Sequence, residues 1–205
     1  MTPVIALLLK APIVGAVKTR LAAAVGPVAA TRVYTQLAEK QVRALPAAWP
    51  ATVHYDPSGS GAAMLRWLGP LRTELGFIPQ CAGDLGQRLA AAFAAEFARG
   101  AAAVIAAGGD CPGLNEAVLL AARQALAQSD VVLGPATDGG YYLIGLKRPC
   151  PGLFRNIAWS TPAVLAQTRE KIRVAALTSS ELPPLDDVDD EAGWQRAVAA
   201  GLLRR

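Results

Sequence analysis

Several classes of protein are excluded by what this sequence has little of. Its three cysteines, Cys81, Cys111 and Cys150, are widely spaced and form no C-x-x-C pair, which excludes a disulfide framework and a structural zinc site. The apolar run near the start, Val4–Leu9, is too short to span a bilayer or to form the core of a signal peptide. We therefore expect a cytoplasmic protein without a membrane span.

The chain also lacks the usual signatures of nucleic-acid and nucleotide binding. Its net charge of +4 is modest and its arginines are dispersed, which excludes nucleic acid as a partner. Neither G-x-x-x-x-G-K-[ST] nor G-x-G-x-x-G occurs, so a Walker A loop and a dinucleotide-binding fingerprint are excluded as well. The single histidine, His54, has no second histidine beside it, and we interpret it as a structural residue.

What the sequence does contain is enough apolar material for one large core. Of the 205 residues 53% are apolar and 18% are charged, which predicts a single globular domain over residues 1–205. A continuous stripe of apolar residues predicts a helix over Pro27–Leu45. Short apolar runs predict buried strands over Val4–Leu9, Ala51–Tyr55 and Phe77–Ile78. The sequence gives no indication of an oligomeric state.

The stretch Ala101–Leu114 carries the first candidate functional residue. Its apolar run, Ala103–Ala107, predicts a buried strand, and Gly108-Gly109-Asp110 follows before Cys111-Pro112 prevents an immediate helix. Asp110 is therefore expected at the carboxyl edge of a parallel sheet, where open α/β folds bind their ligands. The alternative interpretation is an aspartate that only caps a turn.

The loop after the first predicted strand has the composition of a diphosphate-binding segment. Between Lys10 and Leu21 it contains a proline, Gly15 and the three cations Lys10, Lys18 and Arg20. Cationic side chains and inward-turned backbone N–H groups are what a diphosphate requires. The alternative is a solvated loop with ordinary surface cations.

A second glycine-bearing loop, Gln80–Arg88, leads into a predicted helix. Leu85, Leu89, Phe93 and Phe97 recur every four residues, and Gly100 ends the helix. Gln80, Gly83, Asp84 and Gly86 therefore lie where the backbone N–H groups of a helix N-terminus can meet a polar ligand. Asp84 can cap the helix at the same time.

The segment after the predicted strand Asp130–Gly134 contributes a third group of candidates. Asp138-Gly139-Gly140-Tyr141 predicts a hairpin-like element beside the site, with Asp138 as the carboxylate that orients an acceptor hydroxyl or acts as its general base. A plain hairpin is the alternative. Downstream, Trp159-Ser160-Thr161-Pro162 predicts a capped helix start, and Arg173–Leu177 predicts a late strand.

The densest acidic stretch precedes the last predicted helix. It contains Asp186, Asp187, Asp189, Asp190 and Glu191. Carboxylates at a helix start are favoured by capping and by the helix dipole, but one cap does not need four aspartates within five residues. The surplus suits a hard divalent cation held by oxygen ligands. We therefore predict an Mg²⁺ or Mn²⁺ site, with Asp110 on the central strand and Asp189 as its ligands and Asp187 as the reserve choice.

Taken together, the ordered segments KAPIVGAVKTRL, GDLGQRL, GGDCPGL, GPATDGGYYLIGL and DVDDE resemble a bacterial family of small glycosyltransferase-like proteins, some of them associated with arsenosugar biosynthesis. The resemblance implies the GT-A, nucleotide-diphospho-sugar transferase fold, a mixed and mostly parallel sheet flanked by helices. It also implies that the loop Lys10–Arg20 holds the diphosphate and that Gln80 with the Gly83–Gly86 turn contacts the nucleobase. Asp110 and Asp189 would be the metal ligands. From their position beside Asp138, we further expect Gly139 and Gly140 to leave room for a substrate and Tyr141 and Tyr142 to offer it a ring and a hydroxyl, with Trp159 on the same acceptor side.

One departure from the family pattern leaves the reaction open. Many GT-A glycosyltransferases carry Asp-x-Asp at the central strand, whereas Gly108 stands at the first of these positions here. The steps Lys18–Leu21 and Asp187–Asp189 resemble those of 2-phospholactate guanylyltransferases. We expect transfer of a sugar from a nucleotide sugar to a small acceptor. Nucleotidyl transfer from a nucleoside triphosphate and a non-catalytic nucleotide-binding module are the alternatives.

Overall fold

The computed structural model describes residues 2–204, and these form a single mixed sheet of seven strands with seven α-helices around it. The strands are β1 (Val4–Lys10), β2 (Ala51–Asp56), β3 (Leu75–Pro79), β4 (Val104–Gly108), β5 (Val131–Pro135), β6 (Tyr141–Leu146) and β7 (Ser179–Glu181). The helices are α1 (Thr19–Val25), α2 (Pro27–Ala44), α3 (Gly61–Leu68), α4 (Leu85–Ala98), α5 (Glu116–Gln128), α6 (Val164–Val174) and α7 (Glu191–Ala199). Within the described part of the chain, no helix is long and apolar enough to cross a membrane.

The order of the strands determines which loops meet. The order is β3-β2-β1-β4-β6-β5-β7, and β6 is antiparallel to both of its neighbours while the other pairings are parallel. The carboxyl ends of the parallel strands and the amino end of β6 therefore lie along one edge of the sheet. This arrangement confirms the predicted α/β fold with a mixed, mostly parallel sheet, and the hairpin predicted after β5.

The core has two layers because successive side chains of a strand point to opposite faces of the sheet. Ile5, Leu7 and Leu9 of β1 face the layer that contains α2, α3 and α5, whereas Ala6 packs on the other face against α4 and α6. Burial on both faces explains why β1 is an unbroken apolar run in the sequence rather than an alternating one.

Two sequence predictions in the second half of the chain are wrong. The predicted strand Arg173–Leu177 begins inside α6, which extends to Val174 because its apolar residues Leu165 and Ile172 follow a helical spacing onto the core. The last strand is β7 instead. The predicted capped start at Trp159–Pro162 is also displaced, because α6 begins at Val164 and its N-cap residue provides no side-chain hydrogen bond. The helix α1 was not predicted.

A buried polar pair attaches α4 to β2. His54 Nε2 lies 3.0 Å from Glu96 Oε1, and both side chains are almost completely buried. Burial alone would raise the pKa of the Glu96 carboxyl, but hydrogen bonds with His54 and Thr52 hold it below its usual value. The stabilisation is therefore present above the pKa of a free glutamate, about 4.3, and is lost as the pH falls below it. His54 has the structural place that the sequence predicts.

Removing His54 tests this pair. We expect His54→Ala to lower the free energy of unfolding by about 3–5 kcal/mol, because the Glu96 carboxylate stays buried without its partner. Denaturant unfolding at neutral pH measures the change, with the exposed Glu170→Gln on α6 as the control. A change as small as that of the control would show that the pair does not stabilise the protein.

Candidate active site

A cleft of about 680 Å³ opens at the edge of the sheet where the parallel strands end. The ends of β1, β2, β4 and β6 and the loop before α1 contribute to its walls. Among the predicted site residues, the cleft is lined by Lys10, Lys18, Arg20, Gln80, Gly83, Asp110, Tyr141 and Asp189. Residues from five separate parts of the sequence therefore converge on one space.

The floor of the cleft is built around the Lys18 ammonium. Lys18 Nζ lies 2.6 Å from Asp110 Oδ1 and 3.1 Å from Asp189 Oδ1. The lysine side chain is only 4% exposed, while the two aspartate side chains are 48% and 45% exposed. A buried ammonium needs such partners, since an unpaired charge in the interior is strongly unfavourable. Asp110 and Asp189, 79 positions apart in the chain, thus lie on the same side of the sheet edge.

Backbone contacts hold the acidic stretch against the end of β4. Val188 N–H donates a hydrogen bond of 3.0 Å to the Asp110 carbonyl, and Val188 itself is buried. Leu185 forms a bridge with Ala136, just beyond β5. Asp190 caps α7, where its side chain accepts a hydrogen bond from Gly193 N–H. The capping that the composition suggests is therefore done by Asp190, which leaves Asp187 and Asp189 to face the cleft.

The cleft carries more negative charge than Lys18 neutralises. The pKa of the Asp187 carboxyl is raised to about 7, first by burial and then by the carboxylates of Asp110, Asp138 and Asp189, while Lys18 opposes the rise. Carboxylate oxygens are the donor set that Mg²⁺ or Mn²⁺ prefers. No cluster of three or more His, Cys, Asp or Glu side chains within residues 2–204 would hold a metal ion by itself. Two carboxylates that share the ion with substrate phosphates match the usual Mg²⁺ site.

The remaining cations of the first loop lie on the outer wall. Arg20 is largely exposed, and its Nη1 lies 3.7 Å from Asp189 Oδ2. Lys10 is exposed at the end of β1, where the Tyr34 hydroxyl accepts a hydrogen bond from its N–H and donates one to its carbonyl. Gly15 lies in the turn of the loop, away from the cleft wall. The loop therefore presents two charges to a ligand and buries a third.

The opposite wall contains two residues that the sequence interpretation missed. Asp56 ends β2, and its Oδ2 lies 3.1 Å from Arg88 Nη1 in the first turn of α4. Gln80 joins them, because its Oε1 accepts a hydrogen bond of 3.2 Å from Arg88 Nη1. The position of Asp56 directly after a predicted buried strand is the same signal that identified Asp110, and it could have identified Asp56 as a candidate too.

The loop before α4 has a mainly structural part and an accessible part. Asp84 caps α4 in a capping box with Gln87, which is the capping role that the sequence analysis allows for this residue. Gly83 lines the cleft. Gly86 does not, because it packs so closely that a Cβ atom there would lie 2.4 Å from the Phe154 carbonyl oxygen and 2.6 Å from Trp159 Nε1. Gly86 and Trp159 therefore lie behind the wall, not on it.

On the β6 side, both Tyr141 and Tyr142 line the cleft. Trp159 packs edge-on against the Tyr141 ring at a centroid distance of 6.3 Å, and burial raises the pKa of Tyr141. Tyr142 points to the other face of the sheet, where its hydroxyl donates to the Pro183 carbonyl. The two neighbouring tyrosines therefore do not present a ring and a hydroxyl together, contrary to the sequence expectation.

Asp138 lies in the turn between β5 and β6 and is not among the residues that line the cleft. Its Oδ1 accepts a hydrogen bond of 2.8 Å from Gly140 N–H, and the carboxylate is exposed and near enough to Asp187 to raise the pKa of that group. Gly139 gives a substrate no room, because a Cβ atom there would lie 2.4 Å from the Pro162 carbonyl oxygen. It permits close packing of the turn against the segment before α6.

Comparison with solved structures places this architecture among nucleotide-dependent transferase folds. A Desulfovibrio desulfuricans G20 protein, provisionally assigned as a nucleotide-diphospho-sugar transferase, is 32% identical with a TM-score of 0.85, over 93% of this chain and 84% of that chain. A cytidylyltransferase from Leptospira borgpetersenii has the same fold at 12% identity and a TM-score of 0.61, over 100% and 89% of the two chains. Rv0371c from Mycobacterium tuberculosis H37Rv, solved as a manganese complex, is 16% identical with a TM-score of 0.55, over 97% and 100% of the chains.

Sequence comparison gives the family. No curated protein sequence matches the chain at a significant level. Residues 40–161 match the profile of the family described as uncharacterized protein conserved in bacteria, DUF2064. These residues include Asp56, Arg88, Asp110 and Asp138, and the fold agrees with the nucleotide-diphospho-sugar transferase resemblance of the sequence motifs. The chain belongs to the DUF2064 family and has the fold of the nucleotide-diphospho-sugar transferases.

Proposed function

We propose that the protein is a metal-dependent glycosyltransferase that takes its donor sugar from a nucleotide sugar. One observation carries the proposal: Lys18 Nζ lies within 3.1 Å of both Asp110 and Asp189 on the floor of an open cleft. Because these charges meet in an open cleft, the two carboxylates can bind a cation and the ammonium can bind a phosphate of the same ligand. The similarity to the Desulfovibrio desulfuricans protein supports the same class of reaction.

Asp110 and Asp189 are the proposed ligands of a divalent cation, with Asp187 next to them. Bound there, Mg²⁺ or Mn²⁺ would offset the charge of the leaving diphosphate. Lys18, Arg20 and Lys10 would contact the phosphate oxygens, since charge-assisted hydrogen bonds to phosphate are among the strongest that side chains make. Gly83, the part of the loop before α4 that lines the cleft, would meet the rest of the nucleotide.

The transfer step follows from these roles. The acceptor hydroxyl oxygen forms a bond to the anomeric carbon of the sugar, and the bond from that carbon to the diphosphate oxygen breaks. The bonding electron pair leaves on the nucleoside diphosphate, whose negative charge the cations of the first loop stabilise. We propose that Asp138 receives the hydroxyl proton as general base and that the Tyr141 ring supports the sugar or the acceptor. Trp159 acts by keeping Tyr141 in place.

Nucleotidyl transfer is the second candidate, because Asp110 is the only carboxylate at the end of β4 and Gly108 occupies the place of a second one. In that reaction an acceptor phosphate oxygen attacks the α-phosphorus of a nucleoside triphosphate, and pyrophosphate leaves with the bonding electrons. The same cations would stabilise that leaving group.

Product analysis distinguishes the candidates. The protein is incubated with UDP-sugars and GDP-sugars, and in parallel with nucleoside triphosphates and sugar 1-phosphates, with Mn²⁺ or Mg²⁺ present. Release of nucleoside diphosphate, including slow release with water as acceptor, supports glycosyl transfer. Release of pyrophosphate supports the second candidate. Binding of nucleotide with neither product would indicate a non-catalytic binding module and would contradict the proposal.

Arg20 provides a separate test of the phosphate-binding loop. Because a hydrogen bond to a charged group contributes about 1.5–3 kcal/mol, Arg20→Ala should weaken the binding of nucleoside diphosphate about tenfold or more. Calorimetric titration in the presence of Mn²⁺ measures the affinity. The unfolding temperature should be nearly unchanged, since Arg20 is exposed and its contact with Asp189 is long. An unaltered affinity would remove Arg20 from the site.

A further inference from the structure

The wall of the cleft opposite the acidic residues is organised by Arg88. Its Nη1 donates to Gln80 Oε1 and lies 3.1 Å from Asp56 Oδ2, and its Nε donates to the Gly83 carbonyl over 3.1 Å. The side chains of Arg88 and Asp56 are 24% and 30% exposed, and both line the cleft. The guanidinium therefore fixes the orientation of the Asp56 carboxylate at the end of β2.

Gln80 is unsuited to reading a nucleobase, although the family resemblance assigns it there. Its Nε2 donates to the carbonyls of His54 and Leu9, and its Oε1 accepts from Arg88. The side-chain amide of Gln80 is thus engaged in hydrogen bonds within the protein. Asp56 Oδ1 and Arg88 Nη2, by contrast, make no hydrogen bond to any residue between 2 and 204. Asp56 Oδ2 contacts only Arg88 and keeps a second lone pair, so both carboxylate oxygens and Arg88 Nη2 can meet a ligand in this part of the cleft.

We propose that Asp56 determines the base specificity of the nucleotide and that the base is guanine; this inference rests on the proposed nucleotide-dependent function. An ionised carboxylate only accepts hydrogen bonds, and it accepts two parallel ones from a pair of adjacent donors. Guanine has such a pair, N1–H and N2–H. Cytosine and adenine place a donor beside an acceptor on the same edge, and uracil places its single donor between two carbonyl oxygens that the carboxylate repels.

The position of Asp56 agrees with this assignment. Strands β2 and β4 flank β1, so Asp56 and the Asp110 loop lie about 10 Å apart across the sheet edge, two strand spacings. That separation suits a nucleoside whose base meets Asp56 while its diphosphate meets Lys18 and the metal ligands. Arg88 Nη2, next to the carboxylate, can donate to the guanine O6 acceptor.

The experiment measures the binding of GDP, IDP, CDP, UDP and ADP to the full chain in the presence of Mn²⁺. The phosphates are identical in all five, so the differences report the base. We expect wild-type protein to bind GDP about tenfold or more tightly than the other four. IDP, which lacks the N2 amino group, tests the paired hydrogen bonds without any change to the protein.

The variant Asp56→Asn should lose about tenfold or more in GDP affinity and bind the other diphosphates nearly as wild type does. Glu170→Gln on α6 removes one acidic charge far from the cleft and should leave all five affinities unchanged. Preference of the wild type for another base, equal binding of all five, or IDP binding as tightly as GDP would overturn the base assignment while leaving the proposed function intact. Binding of none of them would overturn the proposed function itself.

Discussion

Asp138→Asn should lower turnover by about 10²–10⁴-fold while nucleotide affinity stays close to that of the wild type, because a positioned general base contributes this much to a rate. The substitution is conservative for the fold, since asparagine keeps the side-chain oxygen that accepts the hydrogen bond from Gly140 N–H. Turnover is measured as the rate of nucleoside diphosphate release from the nucleotide sugar, and affinity is measured by titration with Mn²⁺ present.

The two readouts separate the possible roles of Asp138. If nucleotide or metal affinity falls in step with the rate, Asp138 is a metal ligand and the proposed division of roles is wrong. A variant with normal turnover would show that Asp138 only shapes the turn. A role of Asp138 in metal binding is a genuine alternative, because Asp138 lies near enough to Asp187 to raise the pKa of that carboxyl.

Asp110→Asn should reduce metal-dependent turnover by about 10²–10³-fold or more, as expected when charge stabilisation of a leaving group is lost. Asp110 is the proposed metal ligand on the central strand and the nearer partner of Lys18, at 2.6 Å. The variant should also need a higher Mn²⁺ concentration for half-maximal activity. The Mn²⁺ dependence of the rate measures both effects.

A matched control comes from the same acidic surface. Asp190→Asn removes one charge near the cleft but keeps the cap of α7, because asparagine caps helices as well as aspartate does. We expect this variant to retain wild-type turnover and metal dependence. If Asp110→Asn behaves like Asp190→Asn, Asp110 does not hold the metal.

Much of the fold follows from local sequence patterns. The first strand and the central strand are unbroken apolar runs because both faces of the sheet are covered, and α2 shows its buried stripe clearly. Asn115, an N-cap residue type placed just before an apolar helical pattern, accepts a hydrogen bond from Val118 N–H at the start of α5. The predicted strand Arg173–Leu177 was wrong because the short apolar run at this point includes the end of α6. The structure is needed to see that the apolar residues of α6 follow a helical spacing onto the core.

The site was predictable only as far as it depends on the ends of strands. Asp110, Lys18 and Asp189 were identified because charged residues follow or precede elements whose direction the sequence indicates. The bridging of two carboxylates by one buried ammonium depends on side-chain packing between distant segments, which no local pattern reports. Gly86 and Trp159 were assigned to the ligand for the same reason, although their close packing against each other holds α4 on the sheet.

A crystal structure of the protein with Mn²⁺ and a nucleoside diphosphate tests the central claim most directly. The anomalous scattering of manganese identifies the ion independently of the protein electron density. Our account predicts an anomalous peak between the carboxylates of Asp110 and Asp189, with the diphosphate in contact with the ion and with Lys18 and Arg20. A manganese ion bound elsewhere, or a nucleotide outside this cleft, would contradict it.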